Sequence, residues 1–312
     1  MKSLPYLLTL FVCLQGIQGE RVPIKGQRIV FLGDSNTYAG HYADLIEASI
    51  LQQAPELQLS ILNLGLNGET CSGLSEPDHP YPRPSVHGRL CSVLAKTQPD
   101  IVVAAYGMND GIYHPQSPAR FTAYKKGIRE IVGNVHPTGA KLYILSPPPF
   151  SAAPLIGKGK VVPKSSGRFA WFSIYEGYDA VLADYTAWLQ SLRDPRIGGI
   201  LDIRHPLLEY QTLQQLSKPD YQIMSDGVHY NQDGHKIVAN LLLKAWGFCP
   251  NADNHHEELL QHVRQRQRIL RDAWLTHCGH QRPDVKPGLP LTVAQIEASR
   301  ILAHIHQLLE PK

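Results

Sequence analysis

Short apolar runs, each closed by a glycine or a polar turn and followed by a longer amphipathic stretch, recur along the chain. Arg28 to Leu32 (RIVFL) is a β-prone run that stops at Gly33, and from Tyr42 to Gln53 the apolar positions return with a helical period. Ser60 to Leu64 (SILNL), Asp100 to Ala105 (DIVVAA) and Lys141 to Leu145 (KLYIL) repeat the first pattern, and Phe121 to Asn134 repeats the second. Continuous apolar runs predict strands covered on both faces, and their alternation with helices predicts a parallel sheet between helical layers. Further along, the pattern predicts helices over Tyr178 to Arg193, Pro206 to Leu216 and Asp233 to Trp246, with a short strand near Gly199 to Ile203. The stretch from Ser146 to Arg168, rich in Pro, Gly and Lys, is too long and irregular for a routine connection and is expected to rim a site.

Beyond Pro250 the character changes. His255 to Trp274 is a polar helix whose Leu259, Leu260, Val263, Ile269 and Leu270 form one apolar face, and Thr292 to Leu309 is a second helix. The chain therefore divides into a leader (1–19), an α/β domain (20–250) and a C-terminal helical extension (251–312), which is expected to pack on the core, cover a sheet edge or mediate assembly. The leader is read from Lys2, the apolar run Leu4 to Leu14 and the small residues Gly16 and Gly19, which together resemble an export signal with the mature chain starting near Glu20. The run is shorter than the roughly 20 residues a membrane span requires, so a secreted or periplasmic protein is expected rather than an anchored one.

The 312 residues are 43% hydrophobic and 18% charged, an ordinary globular composition. The net charge of +3 is spread along the chain, which gives no footing for nucleic acid as a partner, and the oligomeric state is left open. Outside the leader, which contains Cys13, stand Cys71, Cys91, Cys249 and Cys278. In an oxidising compartment Cys71–Cys91 and Cys249–Cys278 are the simplest bridges, with four buried thiols as the alternative. No Cys-x-x-Cys spacing points to zinc, and no metal or organic cofactor is expected.

Four segments carry chemistry. Gly33-Asp34-Ser35-Asn36 closes the first strand, where a serine can attack a carbonyl while its own N–H faces the oxyanion; alone, it equally fits a helix cap. Asn63 to Thr70 closes the second strand, with Gly68 as a backbone donor and Gly65 serving the turn, though either can be turn chemistry only. Gly107-Met108-Asn109-Asp110 follows DIVVAA and offers the Asn109 amide to the same crevice. Asp226-Gly227-Val228-His229 supplies a base and the carboxylate that fixes its tautomer, while His205 and His235 are assigned to structure.

Taken in order, GDSN, the NGET-bearing glycine block, GMND and DGVH resemble the four signature blocks of the SGNH hydrolases, also called GDSL esterases and lipases, over roughly Arg28 to Gly247. The resemblance implies a three-layer α/β/α fold similar to flavodoxin's. It also implies a Ser35–His229–Asp226 triad and an oxyanion hole from the Ser35 and Gly68 N–H groups and the Asn109 side chain. Asn36 stands where leucine often does, and the Gly-x-Ser-x-Gly elbow of α/β-hydrolases is absent. The expected activity is hydrolysis of a carboxylic ester through an acyl-enzyme. Polar and aromatic groups around the entry (Tyr38, His41, Tyr106, Tyr113, His114, Trp171, Phe172, Tyr175) favour a short acyl group such as acetyl on a carbohydrate. The alternatives are a lipase or lysophospholipase for longer chains and a catalytically silent carbohydrate-binding module.

Overall fold

A computed structural model describes residues 22–252 and 255–310. The leader, including its cleavage region, lies outside the described residues. Strands β1 (Arg28–Gly33), β2 (Ser60–Asn63), β3 (Ile101–Ala105), β4 (Lys141–Leu145) and, past two short strands, β7 (Ile197–Leu201) form one sheet. Its order is β2-β1-β3-β4-β7, with every pairing parallel. This is the doubly wound flavodoxin-like order, in which the chain reverses direction across the sheet between β1 and β3 and opens a crevice at their carboxyl ends. Ile29 to Leu32 and Val102 to Ala104 are fully buried, as their unbroken apolar runs require.

The helices are α1 (Ser35–Tyr38), α2 (His41–Gln53), α3 (Leu90–Thr97), α4 (Pro118–Val135), α5 (Tyr178–Ser191), α6 (Arg204–Gln215), α7 (Gln232–Ala245), α8 (Glu257–Cys278) and α9 (Leu291–Leu309). The expected elements are present with ends shifted by a few residues. The four-residue α1 and the eight-residue α3 are additions, too short for a periodic signal. α2 packs with α7 and α8, while Tyr124 of α4 stacks on Tyr185 of α5 with ring centroids 4.3 Å apart.

Residues 146–177 carry two short paired strands, β5 (Val161–Val162) and β6 (Ile174–Tyr175), two 3-10 turns (Ala153–Leu155 and Lys164–Ser166) and otherwise irregular backbone. Backbone bonds tie this stretch to the crevice. The Ser151 N–H donates to the Gly227 carbonyl (3.0 Å), and the Tyr175 N–H donates to the Tyr113 carbonyl (3.0 Å).

Of its three expected roles, the extension packs on the core and covers the sheet edge. Leu259, Val263, Leu270 and Leu275 of α8 join the central hydrophobic cluster. β2 is an edge strand, and Gln267 of α8 donates to its Ile61 carbonyl (3.0 Å), covering a backbone group that an open edge leaves unpaired.

The expected disulfides do not form: Cys71, Cys91 and Cys278 carry free thiols. Cys71 is buried while Cys91 faces outward on α3, its sulfur 3.6 Å from Asn134 Oδ1, so the two point into different environments.

Candidate active site

The first three segments leave the sheet at the carboxyl ends of adjacent strands, and local sequence decides how. Gly65 brings the end of β2 against α1: a Cβ there would lie 2.4 Å from the Tyr38 backbone nitrogen, so only glycine permits the approach. Asp34 caps α1 by accepting from the Asn36 N–H (3.0 Å), which places Ser35 at the first turn with its own N–H free of partners among the described residues. Burial pushes the Asp34 carboxyl up to about 7.

His229 Nε2 lies 2.8 Å from Ser35 Oγ, and His229 Nδ1 lies 2.7 Å from Asp226 Oδ2. The other Asp226 oxygen accepts from the backbone N–H groups of Val228 (3.0 Å) and His229 (2.8 Å), so one carboxylate shapes the turn and orients the ring. Burial alone would raise the Asp226 carboxyl, but the His229 hydrogen bonds and charge outweigh it and hold the group well below the usual carboxylate range. For His229, burial pulls downward, and the bond to Asp226 together with the charges of Asp226 and Asp34 leaves the imidazole above its ordinary value. The sequence does not point to Asn36 as a partner of this loop. Its Nδ2 donates to the Val228 carbonyl (3.1 Å) and its Oδ1 accepts from the Tyr230 N–H (3.0 Å), clasping the backbone on both sides of His229.

Gly68 has φ +73°, and its N–H also lacks a partner among the described residues. Asn109 is buried, and its Oδ1 accepts from Arg83 Nη1 (3.1 Å) and from the Tyr113 hydroxyl (2.9 Å). Two donors on the oxygen fix which end of the amide is NH2. Among the described residues, that end makes only a long 3.4 Å contact, with the Glu69 carbonyl. Arg83 is held by a bidentate pair with Glu76 (2.5 and 2.7 Å), and Glu69 by Arg89 (2.6 and 2.6 Å) and the Tyr106 hydroxyl (2.7 Å). No motif announces Arg83, Glu76 or Arg89. They are buried ionic residues in a loop, visible only once the contacts are known.

The sequence places eight groups around the entry, and the structure corrects that list. Tyr106 and Tyr113 are buried and bonded to Glu69 and Asn109, because their hydroxyls are spent supporting the site rather than facing solvent. Tyr38 lies under the Arg271 guanidinium, 4.1 Å from its ring centroid, and His114 and Tyr175 pack on Phe169. Trp171 stays 49% exposed, with its ring centroid 5.4 Å from that of Phe172. Its backbone N–H donates to Glu76 (3.2 Å), which joins it to the Arg83–Asn109 chain. His235 is buried among the rings of His41, Tyr42 and Tyr230, and His205 pairs with Asp202. Among the described residues, Glu258, His262 and His304 of α8 and α9 hold ligand-type atoms within 4.8 Å of one another, a group that includes none of the residues above.

Residues 31–237, about two thirds of the chain, match the model of the GDSL-like lipase/acylhydrolase family. Fold and match define the class as carboxylic ester hydrolases. The chain belongs to the GDSL-like lipase/acylhydrolase family. A gut microbial diltiazem-metabolizing enzyme is similar over 72% of this chain, at 19% identity and a TM-score of 0.56; this chain spans only 48% of that enzyme's length. An alpha/beta hydrolase enzyme from the metagenome of Lake Arreo, Spain, is similar over 73% of this chain and 98% of its own, at 24% identity and a TM-score of 0.51. No curated protein matches the sequence.

Proposed function

We propose that this chain is a serine esterase in which Ser35 is the nucleophile, His229 the general base and Asp226 its orienting carboxylate. The carrying observation is the continuous line Ser35 Oγ, His229 Nε2, His229 Nδ1, Asp226 Oδ2, with gaps of 2.8 and 2.7 Å. With Nδ1–H held by Asp226, Nε2 is the free lone pair and takes the serine proton as Oγ attacks the ester carbonyl. The oxyanion is received by the Ser35 and Gly68 N–H groups and Asn109 Nδ2. The resulting imidazolium protonates the departing alcohol, and water then releases the acid by the same steps in reverse roles. No step calls on a metal or cofactor.

For the substrate, the reading favours a short acyl group, such as acetyl, on a carbohydrate. The support is the half-exposed indole of Trp171, whose backbone N–H donates to Glu76 in the chain that holds Asn109, because an exposed aromatic face suits a hydroxylated sugar ring better than a long hydrocarbon chain. The reading includes export of a mature chain beginning near Glu20, which N-terminal sequencing of the secreted protein checks.

A fluorophosphonate probe should label the wild type and leave Ser35→Ala untouched. Turnover should be faster on nitrophenyl acetate than on the palmitate ester, with acetate released from an acetylated oligosaccharide. Equal labelling of Ser35→Ala would reject the nucleophile, and preference for palmitate would move the substrate to lipids.

A further inference from the structure

The segment beyond the family match reaches the loop that carries Gly68. The end of α8 is fastened to α3, where Ser92 Oγ donates to the Cys278 carbonyl (2.7 Å) and Lys96 Nζ to the His277 carbonyl (2.6 Å). From there the backbone crosses the loop that follows β2. Gln281 packs so closely on Gly88 that a Cβ would lie 3.3 Å from its amide. Arg282 then turns inward with only 14% of its side chain exposed. Its Nη1 donates to the Asn67 carbonyl (2.5 Å), while Nε and Nη2 form a fork on Asp284 (2.6 and 2.8 Å). The guanidinium carbon sits 5.2 Å from the Tyr81 ring centroid, and the Tyr81 hydroxyl reaches Asp284 (3.4 Å).

The Asn67 carbonyl and the Gly68 N–H are opposite ends of one planar peptide unit. A donor that fixes the oxygen on one side therefore fixes the hydrogen on the other, and a cationic donor also polarises the amide, which strengthens its N–H. The next peptide is held similarly, by Arg83 Nη1 on the Gly68 carbonyl (3.2 Å), but that arginine lies inside the family-matched region, whereas Arg282 does not.

We infer that Arg282 is a positioning residue of the esterase site, which orients and polarises the Gly68 N–H through the Asn67 carbonyl, so that the C-terminal segment completes the oxyanion hole. The inference rests on the serine-esterase reading.

The experiment is steady-state hydrolysis of nitrophenyl acetate by the full chain carrying Arg282→Ala, Arg282→Lys or Ser35→Ala, with inhibition by phenylboronate, which becomes a tetrahedral anion on a catalytic serine. Arg282→Ala should lose about 10- to 100-fold in kcat with KM within about threefold, and phenylboronate should weaken by a similar factor, since a hole donor acts on the tetrahedral state. Arg282→Lys keeps a cation without the fork and should fall between, and free guanidinium should restore part of the Arg282→Ala rate. A merely structural arginine would lower the melting temperature without moving boronate affinity and without rescue. If Arg282→Ala does not fold, Arg282→Lys carries the same comparison. A folded variant with wild-type kcat and unchanged boronate affinity overturns the inference; wild-type turnover by Ser35→Ala overturns the underlying reading instead.

Discussion

Asn36 occupies the position where the signature block often has leucine, and its amide explains why a polar residue serves here. Leucine there would leave the Val228 carbonyl and the Tyr230 N–H without their partner on either side of His229, at a cost of ~1–3 kcal/mol for each buried group left unmade. Asn36→Leu should therefore lower the midpoint of thermal unfolding and reduce kcat by about tenfold or more as the imidazole loses its seat; paired melts and kinetics check both. The base itself sets the pH profile. Because His229 is raised above the ordinary histidine value of 6.5 and must be neutral to accept the serine proton, kcat/KM should fall as pH drops through a midpoint above 6.5. Asp226→Asn removes the charge and bond that raise it, so this midpoint should move to lower pH while the plateau rate falls at least ~100-fold. A midpoint unmoved in Asp226→Asn would assign the limb to another group. The Ser35, Asp226 and His229 contacts follow blocks that the sequence picks out, each at a predicted strand end or in the late loop, and the proposed donors Gly68 and Asn109 stand in blocks of the same kind. Asn36, Arg83 and Arg282 were not, since their partners lie 192, 26 and 215 residues away and no local pattern encodes such contacts.

Individual elements add their own conditions to the site. The strands were readable from their apolar runs, whereas α1 has only four residues and comes from the Asp34 cap and the close packing of Gly65 rather than from periodicity. The stretch from Ser146 to Arg168 was expected to rim the site; within it Ser151 bonds to the Asp226–His229 turn, and just beyond it Trp171 and Tyr175 bond to Glu76 and Tyr113. α7 starts just after that turn and carries a group that makes the fold acid-sensitive. His235 is 4% exposed, and burial pushes its imidazole down to about 3, from 6.5. A histidine kept neutral in the fold binds its proton on unfolding once the pH is below 6.5, so its contribution to stability is present above 6.5 and is lost as pH falls toward 3. Across that window the unfolding free energy of the wild type should decline by up to about 1.4 kcal/mol per pH unit from this group. His235→Gln should flatten the slope, measured by urea unfolding at a series of pH values, and an identical slope in both proteins would remove His235 as its source.

At the scale of the whole molecule, the question is whether the C-terminal extension is an appendage or part of the fold. The amphipathic pattern of α8 showed that one face must be covered but not by what, because periodicity specifies a face and not its partner. That face lies on α2 and the open edge of β2. Leu259, Val263, Leu270, Trp274 and Leu275 of α8 are buried, and Arg266 and Gln267 pair with the buried Glu47 of α2. At ~1.5–3 kcal/mol for each large apolar side chain, these five account for roughly 10 kcal/mol of burial, comparable to the entire net stability of a typical domain. Their removal would also leave Glu47 as an unpaired charge and β2 as a bare edge. A chain ending at residue 252 should therefore fail to give a cooperative unfolding transition and should be inactive for that reason. α9 contributes less to the core, with Ala294, Ala298 and Ile305 as its buried residues, while Val293 and Ile296 remain exposed. Ending the chain at residue 288 keeps α8 and Arg282, and that protein should melt cooperatively at a lower temperature while retaining kcat within about threefold of the full chain. Circular dichroism melts alongside nitrophenyl acetate kinetics separate the two truncations. Cooperative folding of the shorter one would make the family-matched domain self-sufficient and reduce the extension to a support for Gly68 alone.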